Sequence, residues 1–164
     1  MPAAFESIQT ASPSGGTSIV TFSNLQTTTQ YDHFMLSCYF QASSGAGGSN
    51  VLIRFNETNT NYNYIRTMAD GGSGSVSANA DATEIDIADV GSGFGAAIVW
   101  IIGARTGEYK NVYSQGAPDS AQRSKFDFGQ WRNTNNITSI SFFLGDGRGM
   151  SSNTRIALYG IKGA

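Results

Sequence analysis

The sequence predicts an all-β fold, a two-sheet antiparallel β-sandwich of jelly-roll type, on three observations. Apolar residues alternate with polar ones over short runs, the period of a strand lying half in a core. Ile outnumbers Leu thirteen to five, and Phe, Tyr and Thr are plentiful, which suits a pleated surface better than a helix. Glycine clusters separate the runs, and no helical period persists for three turns.

The elements follow in order. Strands are expected near 3–8, 17–23, 32–42, 50–57, 62–69, 83–89, 95–105, 109–114, 123–132, 137–145 and 154–162. Phe34, Leu36, Cys38 and Phe40 share one face of the third run, with His33, Ser37, Tyr39 and Gln41 opposite. In the run 83–89, Glu84 and Asp86 turn away from Ile85 and Ile87, which reads as a solvated face. The stretch from Ala96 to Ile102 is apolar on both faces, Ala97, Val99 and Ile101 against Ile98, Trp100 and Ile102. Such a strand is sandwiched inside the fold or covered by another subunit. In 123–132, Trp131 falls opposite Phe126 and Phe128, so one of those faces meets something other than the domain's own core. Ile140, Phe142 and Leu144 share a face near the end, and Ile156 with Leu158 share one in the closing strand.

Glycine marks the joints at Gly45-Ala46-Gly47-Gly48, Asp70-Gly71-Gly72-Ser73-Gly74, Gly91-Ser92-Gly93-Phe94-Gly95 and Gly145-Asp146-Gly147-Arg148-Gly149. Asp-Gly supplies the positive φ that tight hairpins need. No repeat or linker divides the chain, so residues 1–164 are expected to form a single domain that buries roughly 70% of its extended surface.

Charged residues make up only 13% of the chain, against about 25% in an ordinary soluble domain. A surface hydrated by Ser, Thr, Asn and Gly resembles that of a protein packed into an assembly. The net charge of −2 and the scattered Lys and Arg residues argue against nucleic acid as a partner. No run of 18 apolar residues exists, so no membrane span is expected, and the N-terminus lacks the blocks of a signal peptide.

Reaction chemistry finds little support. His33 is the one histidine, which excludes a histidine metal cluster, and no Gly-x-Ser-x-Gly elbow accompanies it. Cys38 reads as a small buried hydrophobe. Asp81, Glu84, Asp86 and Asp89 lack the glycine and closing glutamate of a calcium loop. The Gly91–Gly95 segment leads into a strand and not a helix, unlike a phosphate loop. The expectation is no catalytic residue, no cofactor and no metal.

Candidate contacts are therefore surfaces. Pro2, Phe5, Ile98, Val99 and Trp100 are the candidate subunit interface. Tyr62, Tyr64 and Trp131 are candidate contacts for a sugar or a partner, since sugars stack on exposed rings and interfaces are enriched in Tyr and Trp.

Four stretches carry a family likeness. They are Ala3-Ala4-Phe5-Glu6-Ser7-Ile8, Arg54-Phe55-Asn56 followed by Asn61-Tyr62-Asn63-Tyr64, Gly129-Gln130-Trp131-Arg132-Asn133-Thr134 leading into Ile137-Thr138-Ser139-Ile140, and the closing Leu158-Tyr159-Gly160-Ile161-Lys162-Gly163. Together they resemble a family of small tailed-bacteriophage virion proteins, over nearly the whole chain. The resemblance implies a virion structural protein made in the host cytoplasm. It leaves two placements. The first is a capsid decoration (cement) protein, a homotrimer resting on the major capsid protein or another virion protein. The second is a tail-fibre or receptor-binding component whose sandwich binds host glycan.

Overall fold

The computed structural model describes residues 5–25, 31–45, 48–90, 93–105, 107–118 and 123–162. Pro2 of the candidate interface lies outside them. Twelve strands are present among the described residues: β1 (Phe5–Ala11), β2 (Ile19–Phe22), β3 (His33–Gln41), β4 (Ser49–Phe55), β5 (Tyr62–Asp70), β6 (Ser73–Ala82), β7 (Ile85–Val90), β8 (Phe94–Ile102), β9 (Lys110–Pro118), β10 (Arg123–Trp131), β11 (Ile140–Leu144) and β12 (Arg155–Ile161).

They form an eight-stranded sheet, β1-β12-β3-β8-β9-β10-β5-β6, and a four-stranded sheet, β2-β11-β4-β7. Every named pairing is antiparallel. Without β5–β6 and β9–β10, the remaining strands read β1-β12-β3-β8 over β2-β11-β4-β7, the strand order of a jelly roll. The two extra hairpins all add to one edge of the larger sheet, so that sheet extends well past its partner.

The core lies between the layers. Phe34, Leu36, Phe40, Val99 and Ile101 of the large sheet meet Phe22, Val51, Ile53, Phe55, Ile140 and Phe142 of the small one, all buried. These are the alternate positions of each strand, as the two-residue repeat dictates.

Strand β7 departs from that pattern and is buried along its whole length. It lies across β8, β9, β10 and β5 at the extended end of the large sheet. Glycines make this close approach possible. A Cβ on Gly95 would overlap the Asp89 carbonyl, and one on Gly129 would collide with the Ile85 side chain. A bulge between Val51 and Leu52 in the β4–β7 pairing leaves Ile87 as the extra residue.

One strand escaped the sequence reading. β6, Ser-Gly-Ser-Val-Ser-Ala-Asn-Ala-Asp-Ala, is exposed over all but its last residue. It is the outer edge of the large sheet, beyond the cover of the small one, so nothing selects apolar residues at alternate positions. Its place is held by backbone pairing with β5.

Candidate functional site

Two features stand out once the fold is fixed, one on the outside of the large sheet and one under β7.

The outer face is a cross-strand ladder of apolar side chains. The register aligns Tyr159, Met35, Trp100, Tyr113, Phe128 and Ile65 in a single row across β12, β3, β8, β9, β10 and β5. The neighbouring row carries Ile98, Gln115 and Phe126. Ile98 is 52% exposed, Trp100 37%, Tyr113 44%, Phe126 43%, Phe128 47% and Ile65 48%. Met35, Ile98, Trp100, Tyr113, Phe126 and Phe128 enclose a shallow hollow of about 320 Å³. Tyr113 and Phe128 meet edge to face with centroids 5.5 Å apart, and Phe5 meets Trp100 the same way at 6.2 Å.

The middle of this face is also uncharged. The outward positions of β3, β8, β9, β10 and β5 carry no Lys, Arg, Asp or Glu among the described residues; His33 is their one ionisable imidazole. On the other side of the ring row stands a row of amides, Asn111, Gln130 and Asn63, in register. Gln130 Nε2 donates to Asn111 Oδ1 at 3.0 Å.

β10 adds two phenylalanines to this face. Its alternation puts Lys125, Asp127, Gly129 and Trp131 inside and Phe126 with Phe128 outside, the reverse of what polarity alone would choose.

The expected contacts divide accordingly. Ile98 and Trp100 lie on the outer face, and Phe5 is exposed beside Trp100. Val99 is corrected: it is fully buried in the domain's own core, because neighbours on a strand point to opposite faces. Tyr62 and Trp131 are corrected too. Both are 0% exposed, stacked on each other at 6.1 Å and packed on Phe55. The Tyr62 hydroxyl accepts from Phe55 N at 2.8 Å and lies within hydrogen-bonding reach of the Phe55 and Thr58 carbonyls, which makes it a brace between β4 and β5. Tyr64 is half-buried against the same core. Phe126 and Phe128 are the contacts that the expected set left out. The signal for them was Phe126 and Phe128 facing away from Trp131.

The second feature is a sealed knot of charge where β7 lies on β10 and β5. Lys125 is buried, as are Asp86, Asp89 and Asp127. Lys125 Nζ donates to Asp86 Oδ1, to Asp89 Oδ1 at 3.0 Å and to the Ala88 carbonyl at 3.3 Å. Asp127 Oδ2 lies 3.3 Å from the same nitrogen, and neither of its oxygens has another donor among the described residues. Arg66 from β5 pairs with Asp86 Oδ2. Burial lowers the Lys125 pKa, against the pull of Asp127 and Asp89. Burial likewise pushes Asp127 up to about 6, with Lys125 and Arg66 opposing.

The acidic run is thereby corrected. Glu84 and Asp86 do not form a solvated face, because Asp86, like Asp89, is buried in a strand covered on both sides, while Glu84 pairs with Arg54 at 2.9 Å and Asp81 with Arg132 at 2.6 Å. No group of three or more His, Cys, Asp or Glu placed to hold a metal ion occurs among the described residues. In the acidic knot, an ammonium occupies the centre where a cation would sit.

His33 accepts from Gly103 N at 3.2 Å through Nδ1, a packing role at the end of β3. Cys38 is buried, and burial raises its thiol well above the ordinary range.

No family model matches the chain, and no curated protein matches it.

Proposed function

We propose that this chain is a structural protein of a tailed-bacteriophage virion, a capsid decoration (cement) protein that assembles as a homotrimer through the outer face of its large sheet. The observation that carries the reading is that face: six exposed apolar side chains in adjoining rows with no charge among them. At 37–52% exposure and about 200 Å² per large side chain, they offer roughly 500–600 Å². That is the larger part of the ~800 Å² each partner contributes to a standard interface. A patch this size stands at the upper end of the largest apolar patch on a typical monomer, which is often functional. The resemblance to phage virion proteins supplies the setting, and a homotrimer closing around Ile98, Trp100 and Phe128 supplies the form. A protein that binds only the assembled shell stabilises it by mass action, and symmetric copies add avidity.

Trp100→Asp and Phe128→Asp test the reading. Both positions are outside the core, so the sheet spectrum should be retained while light scattering shows monomers in place of trimers. Heads decorated with wild-type protein should outlast heads given either variant. Unchanged assembly and unchanged heads in both variants would end the proposal.

A second reading rests on the amide row. Asn63, Asn111 and Gln130 line a shallow hollow of about 280 Å³ with Ile65, Tyr113 and Phe128. Rings beside uncharged amides suit a neutral host glycan, as a receptor-binding tail component requires. A shift in Trp100 emission on adding host polysaccharide, lost in Gln130→Ala, would favour it over cement.

A further inference from the structure

We propose that the chain cross-links itself, by condensing the Lys125 amine with the Asp86 carboxyl into an isopeptide bond that joins β10 to β7. This is independent of the reading of the outer face.

The geometry supplies what condensation needs. An amine and a carboxyl ordinarily meet in water as ions, and ions do not react. Here both are fully buried, in contact, under a strand that seals them from solvent. Holding two such groups together replaces a bimolecular encounter, worth an effective concentration on the order of 10⁵ M or more when the alignment is good. Burial favours the neutral amine, the nucleophilic form. Asp127 stands 3.3 Å from the same nitrogen, and no other donor among the described residues occupies its oxygens, so it has room to take a proton. Its elevated pKa suits a group that accepts and then returns one.

The step balances without any other reagent. Lys125 Nζ passes a proton through Asp127 to Asp86 Oδ1, so that a neutral amine faces a neutral carboxylic acid, and the amine lone pair attacks Asp86 Cγ to form the Nζ–Cγ bond. Charge collects on Oδ2, where the Arg66 guanidinium already sits. The second proton from Nζ then follows the same path through Asp127 to Oδ1. The Cγ–Oδ1 bond breaks, water leaves and Asp127 is again a carboxylate. An ammonium and a carboxylate become one amide and one water, and net charge is unchanged.

Asp86 is the partner in preference to Asp89 for two reasons. Asp86 is wholly buried, whereas the Asp89 side chain keeps 11% of its exposure. Asp86 also has a cation on the oxygen that must carry the transient charge, and no such ion pair holds Asp89 among the described contacts apart from Lys125 itself.

Intact-mass measurement of the folded chain after a day at neutral pH decides the matter. We expect a mass 18 Da below the sequence value, with tandem spectra showing a tryptic peptide through Lys125 joined to the one containing Asp86. Lys125→Arg should keep the full mass, and Asp127→Asn should fold yet keep most of it. Asp70-Gly71 and Asp146-Gly147 are the alternative source of such a loss, since Asp-Gly steps dehydrate to succinimides. A loss mapped to either of those, or a folded wild-type chain at full mass, would overturn the proposal. That result stands on wild type alone, whether or not the variants fold.

Discussion

Truncating Trp131 separates a core tryptophan from a ligand-binding one. The indole is 0% exposed, with Tyr62 stacked at 6.1 Å and Phe55 at 5.6 Å. A buried aromatic of about 150–250 Å², at about 25 cal/mol per Å², contributes roughly 4–6 kcal/mol. Part of this is offset, because Trp131 Nε1 is buried without a hydrogen-bond partner among the described residues and removing it relieves about 1–3 kcal/mol. Trp131→Ala should therefore cost about 3–4 kcal/mol, at the lower end of the range for such truncations. In a chain of 164 residues that is a fall in Tm of roughly 6–16 °C, read by far-UV circular dichroism. Trp131→Phe should cost less than half as much, since it keeps the ring stack and removes the unsatisfied N–H. If Trp131→Ala melted within about 1 kcal/mol of wild type, the ring would not be the centrepiece of this end of the core.

Two further outcomes test the region under β7. Burial pushes the Asp127 carboxyl from the ordinary aspartate range up to about 6, so the folded chain holds its proton more tightly. That contribution is fully present below about pH 4 and is lost as pH rises through 6. Burial is the leading cause and persists with or without the proposed cross-link, so urea midpoints should rise between pH 7 and pH 5; a flat or falling profile in Asp127→Asn, with the rise kept in wild type, would assign it to this residue. Gly95→Ala should destabilise by about 1–3 kcal/mol or more, because the new methyl meets the backbone oxygen of Asp89, which cannot swing aside. Urea denaturation checks it, and a neutral result would mean β7 does not lie on β8 as described.

Much of the architecture was legible because burial on one face leaves a two-residue stripe. β3 shows it plainly: Phe34, Leu36, Cys38 and Phe40 are all buried, as their alternation requires. The same logic was blind to β6, an uncovered edge with no stripe to write. It misplaced Tyr62 and Trp131, since a ring can serve a core or a ligand and its type alone does not say which.

β10 and β7 mark the boundary between the two kinds of information. Residue types and their spacing were enough to determine an all-β chain, two layers, glycine-marked turns and a strand apolar on both sides, because those depend on local propensity and period. Which side of β10 faces inward was decided only by tertiary packing. β7 brings Asp86 and Asp89 down on that strand, and a buried carboxylate is tolerable only opposite a cation, so Lys125 turns in and Phe126 and Phe128 are left outside.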